Sequence, residues 1–486
     1  MNTIHKEVII VGAGFTGIGA AIKLKEHALD FLLLEKAAEI GGVWRDNSYP
    51  GCECDIPSAF YSYSFAPNPK WSRFYAGQEE IKAYTQDTAA HYGLSPYIRL
   101  DHELLKAQWC EDEKHWKLTT NKGVFTANFV IMAGGPMHKP VFPAIKNLES
   151  FSGDSFHSAQ WNHDLNLSGK KVAVIGSGAS AIQFVPMIQA QVKQLALFQR
   201  TPPWVLPKVD ANISDKWQAR FTRYPLLQRL LRRCSYAVIE ILNTGLKYKW
   251  FISILEKIAT RAMNKDIKDS RVREQLTPDY NIGCKRILQS NTWFEALAQP
   301  NVSVLSGVRE IDGNRVVDSN NQAFEADVII FATGFEVANP PIANVIYADN
   351  GESLAQQWQG SPNTYHGTMA KNLPNCFLTF GSNLASFTSA FVIIEAQLNY
   401  ILGALLQSRQ QQIEAIEVNP GKTDSYNREV QAALEKTVWN RGGCSSYFID
   451  KNGRNSTNWP WTNLKLARTL RHFDLRDYSI QYKKPV

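Results

Sequence analysis

The chain has 486 residues, 44% hydrophobic and 20% charged, which at ~150 residues per domain suggests about three domains or pseudo-domains. Those proportions exclude a disordered tail protein, a collagen and a coiled coil. Lys+Arg 52 against Asp+Glu 45 gives +7, an excess that reads as mild and spread along the chain, so a dedicated nucleic-acid binder is not indicated.

The N-terminus runs straight into an apolar strand, Val8–Val11, without the charged, apolar and small-residue plan of a signal peptide. Gly12-Ala-Gly14-Phe15-Thr-Gly17 follows and opens a helix to about His27, with Ile18, Ala21, Ile22 and Lys25 at helical spacing. In such a loop the glycines permit a tight turn, close approach of backbone to a pyrophosphate, and close contact between helix and sheet. The anion then sits at a helix N-terminus, where unpaired N–H groups and the dipole favour it. The next apolar run, Phe31–Leu34, ends on Glu35 and Lys36. A carboxylate at that spacing can accept hydrogen bonds from the hydroxyls of an adenosine ribose.

A β-rich and loop-rich stretch follows, ending in Phe129–Met132 and Ala133-Gly-Gly-Pro136. Prolines 136, 140, 143 and 202, 203, 207 mark candidate linkers. A second copy of the plan begins at Lys170: strand Val172–Ile175, loop Gly176-Ser177-Gly178-Ala179-Ser180-Ala181, helix to Gln189, strand Leu195–Phe198. This second strand ends in Gln199-Arg200-Thr201, a base where the first unit has an acid. A carboxylate would repel a 2′-phosphate, whereas an arginine would pair with it bidentately. Two nucleotides are expected, one with a free ribose (FAD or NAD) and NADPH.

From about Ala211 to Asp279 the pattern is helical. Apolar Leu226, Leu227, Leu230, Leu231, Trp250, Phe251, Ile254, Leu255 and Ile258 are flanked by Arg229, Arg232, Arg233, Lys247, Lys249 and Lys257. Such a segment suits peripheral membrane contact or, more commonly, a helical cap over an active-site cleft. Asp327–Gly334 supplies a third sheet signal, and the C-terminal part is rich in Trp and Asn. No run reaches the roughly 18 apolar residues of a membrane span. Seven cysteines without a CxxC pair or a zinc-type cluster make a disulfide scaffold and a metal site unexpected. The expected setting is a soluble protein of the cytoplasm. Cys52 and Cys54 are the only close pair, and their spacing makes an intramolecular disulfide awkward. They read as packing or turn residues, which disfavours a disulfide reductase. The oligomeric state is not readable.

Phe151-Ser-Gly153-Asp-Ser-Phe-His157-Ser-Ala-Gln-Trp161, set between the two glycine loops, resembles the fingerprint of type I Baeyer–Villiger monooxygenases. Further stretches are similar to the same family over nearly the whole chain: Gly41-Gly42-Val43-Trp44, Asn47–Asp55, Gly283-Cys-Lys285-Arg286, Phe331-Ala-Thr333-Gly334-Phe335, and the tail from Cys444 to Pro460. Departures are Asn162 after the fingerprint Trp, Ser382 where the family has Pro, and Ser446-Tyr447-Phe448 for Ser-Trp-Tyr.

The resemblance implies an α/β fold with two Rossmann-like dinucleotide-binding domains of the three-layer type and a helical insert. An FAD domain would comprise 1–140 and 331–486, an NADPH domain 157–203 and 282–330, the insert 204–281, and a linker 141–156. The implied activity is NADPH-dependent insertion of one oxygen of dioxygen beside a ketone carbonyl, through a peroxyflavin, giving an ester or lactone. The alternative is N- or S-oxygenation of amines or sulfides on the same frame. By resemblance Arg286 is the fixed cation of the reaction, Asp55 orients it, and Lys285 joins Arg200 on the 2′-phosphate. The other implied cofactor contacts are Phe15, Gly42, Val43, Trp44, Tyr61, Gln183, Thr201, Thr333 and Gly334, with the loop residues above.

Overall fold

A computed structural model describes residues 3–483. The first unit is built on an eight-stranded mixed sheet. Ile4–Val11 lies at its centre, parallel to Phe31–Leu34 on one side and to Gly123–Met132 on the other. These strands are apolar on successive residues because both faces are covered. On one face lie the helices Phe15–Glu26 and Ala390–Gln411, in a core with Ile18, Ile22, Phe391, Leu398 and Ile401. On the other lie Trp109, Trp116, Leu118, Leu354 and Leu373. Chain from both ends thus closes a three-layer arrangement.

The second unit is an all-parallel five-stranded sheet in the order Val302–Leu305, Gln194–Phe198, Lys171–Ile175, Val328–Phe331, Asp154–His157. The edge strand Asp154–His157 falls within the segment expected as a linker, so that linker ends at about residue 153. Its register puts His157 opposite Phe331. The two crossings between units run side by side: Pro140 bridges Phe335, Val141 N–H donates to the Gly334 carbonyl at 2.9 Å, and the Thr333 hydroxyl donates to the Val141 carbonyl.

The insert carries helices Asp215–Arg223, Pro225–Gly245, Lys249–Asp266 and Ser270–Leu276. It overturns the reading of an evenly spread charge. Residues 215–266 hold eleven Lys and Arg against four Asp and Glu, which is +7, and the remaining 41 bases and 41 acids balance. Local hydropathy hid this, because the cations are interleaved with leucines rather than run together.

Two further expectations change. Ala390–Gln411 has the length and hydropathy of a membrane span. It is a core helix, with Phe391, Ile394, Leu398, Ile401 and Leu405 buried against the first unit. Its Glu395, Gln397 and Asn399 break up the apolar run. Cys284 and Cys444 form a disulfide across 160 residues, a separation no spacing rule detects.

Candidate active site

Both glycine loops leave the carboxyl ends of parallel strands, where ligands bind in open α/β sheets. In the first, Gly12 has φ +105° and a Cβ there would meet the Ala133 carbonyl oxygen at 2.6 Å. A Cβ on Gly17 would stand 1.8 Å from the Gly12 oxygen, so helix and strand approach as closely as backbone allows. Gly17→Ala is expected to lose bound flavin on purification, read from the absorbance spectrum. Full flavin occupancy in that variant would refute the close-approach argument.

Glu35 is buried and takes three donors: Ala13 N–H at 2.7 Å, Ala37 N–H at 3.0 Å, and Arg45 Nη1 at 3.0 Å. It fixes the loop, and one of a carboxylate's roughly four acceptor sites stays open for a ribose hydroxyl. Arg45 is a residue the sequence reading missed, although it directly follows the noted Gly-Gly-Val-Trp. Gly42 (φ +55°) sits where its Cβ would meet Gly14 Cα at 3.0 Å, bringing this turn onto the glycine loop. Trp44 donates from its indole to the Tyr61 hydroxyl at 3.1 Å, and Phe15 packs edge-on against the Tyr61 ring at 5.7 Å. Phe15, Gly42, Val43, Trp44 and Tyr61 therefore form one wall. Lys36 points to solvent.

In the second loop Gly176 (φ +109°) lies against the Ala332 carbonyl, where a Cβ would come within 2.4 Å. A Cβ on Gly178 would meet nothing within 4 Å, so the mouth of helix Ala179–Ile188 is open to a phosphate. Ser177 touches the Thr201 carbonyl at 3.5 Å. Ser180 stands in the first turn of the same helix. Gln183, expected on the cofactor, is bonded to the first unit. It accepts from Tyr49 Oη at 2.9 Å and donates to the Glu53 carbonyl at 3.0 Å, locking the Tyr49–Asp55 segment onto this helix. Its period on the helix fitted either role.

Lys285 donates to the Thr201 hydroxyl at 2.6 Å beside Arg200. Burial lowers the Lys285 pKa first, and the Arg200 charge lowers it further. Among the described residues no carboxylate lies within ion-pair distance of either cation. Two unneutralised cations held together fit a dianionic phosphate.

Arg286 and Asp55, 231 residues apart, meet in a two-pronged ion pair: Nε donates to Oδ2 at 2.8 Å and Nη2 to Oδ1 at 2.6 Å. Gly283 (φ +94°) turns the chain into this segment, packed on Leu246 of the insert and Val438. Leu288–Gln289 then pairs with Val205–Leu206 and fixes its exit. The pair is partly buried, with 36% of the arginine side chain and 28% of the aspartate accessible. Asp55 raises the guanidinium above its ordinary value against the opposing pull of burial. Burial alone would push the Asp55 carboxyl up, but the Arg286 charge and hydrogen bonds outweigh it and hold the carboxyl down. Both groups therefore stay charged through neutral pH.

Lys208 was not anticipated either. It is buried, 2.5 Å from Glu53 and 4.6 Å from the Tyr75 ring centre, and adds a second positive field at Asp55. Burial raises the Tyr447 hydroxyl and the Arg286 charge pulls it back, so the two lie within each other's field, while Phe448 is buried with Trp439. The Cys284–Cys444 disulfide ties the Tyr447 segment to the residue two before Arg286. Cys52 is free, and burial pushes its thiol up to about 12. Cys54 is free and raised likewise by burial. Neither is a ready redox thiol.

The fingerprint does not reach the ion pair. Phe151 packs under the second sheet, Gly153 is forced by the Asp327 carbonyl 2.3 Å from where its Cβ would be, and Trp161 packs on Phe156 and Phe184. His157 is fully buried at the crossings, with Phe142 and Phe335 rings at 5.5 and 5.9 Å. Its Nδ1 accepts from Ala159 N–H at 3.1 Å, so Nε2 carries the proton of the neutral ring. Burial pushes its pKa from 6.5 to about 4, against a pull from the Gly334 backbone. Between those values the unfolded chain binds a proton the folded ring refuses, so stability falls as pH drops, by at most about 1.4 kcal/mol per pH unit. Melting temperatures of the native chain and His157→Asn should converge from pH 6.5 down to 4. Parallel declines would show that His157 does not titrate this way.

The departures from the resemblance are absorbed locally. Ser382 Oγ accepts from Thr364 N–H at 3.0 Å, and Asn162 Oδ1 caps its own turn at Asp164 N–H, 3.1 Å.

Two nucleotide loops flanking a cation–carboxylate pair define an oxidoreductase that works with two dinucleotides. A family profile described as pyridine nucleotide-disulphide oxidoreductase matches residues 9–263. A Baeyer-Villiger monooxygenase of Streptomyces coelicolor is 42% identical, over 99% of this chain and 94% of its own length. One from Pseudomonas aeruginosa is 41% identical, over 98% and 92%. The structure of an oxidised steroid monooxygenase bound to NADP superposes with a TM-score of 0.86 at 26% identity, over 99% of this chain and all of that one. The chain belongs to the Baeyer–Villiger monooxygenase family.

Proposed function

We propose that Arg286, held by Asp55, is the electrostatic centre of a ketone oxygenation in this chain. As a family member the protein is an FAD- and NADPH-dependent monooxygenase that inserts oxygen beside a ketone carbonyl. The flavin, reduced by NADPH, supplies dioxygen activation when bound. The rest falls to side chains. Oxygen insertion builds negative charge on oxygen in a site that must stay dry, and a guanidinium offers a charge it cannot lose and a rigid donor fork. Two of its donor positions are engaged by Asp55, which sets the plane of the fork and leaves the other N–H groups to the cleft. Gly12, Gly14, Gly17 and Glu35 would hold the flavin nucleotide. Gly176, Gly178, Arg200, Thr201 and Lys285 would hold NADPH. Thr333 and Gly334, bonded to Val141 at the crossings, would keep the two in register.

The observation that carries this reading is the Arg286–Asp55 pair at the seam of the two nucleotide units. Products from a panel of linear, cyclic and aryl ketones with NADPH and dioxygen test it, alongside amines and sulfides. Esters or lactones are expected. Oxygenated amines or sulfides with no ester from any ketone would transfer the reading to N- or S-oxygenation.

A further inference from the structure

We infer that the helical insert docks on an anionic phospholipid surface. Along Pro225–Gly245 the residues Leu227, Leu230, Cys234, Val238 and Ile241 recur every three or four positions and are all exposed, as is Leu226 at 73%. This is an apolar stripe turned outward. A second stripe on Lys249–Asp266 comprises Trp250, Ile254 and Ile258, exposed by 64, 46 and 38%. At the turn between the two helices the exposed Tyr248 and Trp250 rings lie 6.4 Å apart. Soluble chains seldom leave so many large apolar side chains together in water.

What covers the patch is indicated by charge. Arg229, Arg233, Lys247, Lys249, Lys257 and Arg261 are exposed around it. Among the described residues none has a carboxylate within ion-pair distance. The acids of these two helices near the patch turn inward: Glu240 accepts from Asn463 Nδ2 at 2.6 Å, and Glu256 from Ile282 N–H at 3.1 Å. The chain's entire +7 resides in this insert. A second copy would bring like charge against like charge, whereas lipid phosphates complement it and acyl chains take the apolar stripes. Leucines and a tryptophan on one face, with Lys and Arg beside them, is the chemistry of a helix lying in the interface plane. Each cation near an anionic leaflet strengthens binding on the order of fivefold. Leu246, in the turn between these helices, is buried and packs on Gly283. A docked insert would thus hold the Arg286 segment one helix away from lipid, where apolar ketones collect.

Cosedimentation of the flavin-loaded chain tests this, with vesicles of phosphatidylcholine alone and with added phosphatidylglycerol, at low and high salt. The native chain should pellet with the anionic vesicles at least tenfold more tightly than with the neutral ones, and should be released by salt. Leu230→Asn/Ile241→Asn/Trp250→Asn and Lys247→Gln/Lys249→Gln/Lys257→Gln should each weaken binding at least tenfold, with ketone oxygenation in buffer unchanged. The inference is overturned by a native chain that stays in the supernatant with both vesicles, or by triple variants that pellet like the native chain. A dimer in sedimentation velocity that the apolar triple variant dissociates, without vesicle binding by the native chain, would assign the patch to a second copy instead.

Discussion

Replacing Arg286 by Ala is expected to abolish ester formation from every ketone while NADPH still bleaches the flavin. The separation follows from geometry. Hydride transfer depends on how the two nucleotide units hold their cofactors, through the glycine loops and the Arg200–Lys285 pair, none of which Arg286 touches. Oxygen insertion needs positive charge where an oxyanion develops, and loss of one preorganised donor costs on the order of 10²–10³ in rate. The loss here should exceed that, because the variant also leaves Asp55 without the partner that keeps its carboxylate ionised in a partly buried setting. Arg286→Lys should recover little, since an ammonium keeps the charge but cannot hold both Asp55 oxygens and aim further donors. Asp55→Asn keeps a similar shape and should leave a slower but measurable oxygenase with more peroxide released. Stopped-flow bleaching and gas chromatography of products separate the two half-reactions. Ester formed by Arg286→Ala at near the native rate would discard the assignment.

What the sequence made legible is local. The contrast between Glu35 and Arg200 needs only counting along two strand–loop–helix units, and both residues stand at strand ends as that count requires. Gly17 and Gly176 were readable for the same reason: one residue type fits where backbone meets backbone. The Arg286–Asp55 pair was reachable only by resemblance, because its partners lie 231 residues apart and either alone is an ordinary loop residue. Cys284 and Cys444 show the limit more sharply, since an odd cysteine count and no motif pointed away from the bond that forms. Gln183 marks a different limit. Its place on the helix after the second glycine loop was readable, but its bonds to the facing Tyr49 and Glu53 were not. The stripe of the insert was visible as a pattern but its outward orientation was not, because the sequence period says which residues share a face, not which way that face turns.

Removing the second cation pair should produce the other large effect, and on a different axis. Arg200→Ala and Lys285→Ala are each expected to raise KM for NADPH by roughly 10- to 150-fold, the range of a charge-assisted hydrogen bond at ~1.5–3 kcal/mol. KM for NADH should change by less than about threefold. The two cations repel each other. Burial and the Arg200 charge both work against the proton on Lys285; Asp279 opposes them only in part, and among the described residues no acid lies within ion-pair distance. A 2′-phosphate supplies the missing charge, so NADPH gains what NADH cannot. Because the two cations share one ligand, the double variant should lose less than the product of the single effects. Lys285 carries a second consequence. Its hydrogen bond to Thr201 spans the end of the second sheet and the segment leading to Arg286. Lys285→Ala is therefore expected to leak more peroxide per NADPH consumed than Arg200→Ala at saturating NADPH. Equal losses with NADPH and NADH in both variants would mean that these residues hold the fold of the strand end rather than read the phosphate.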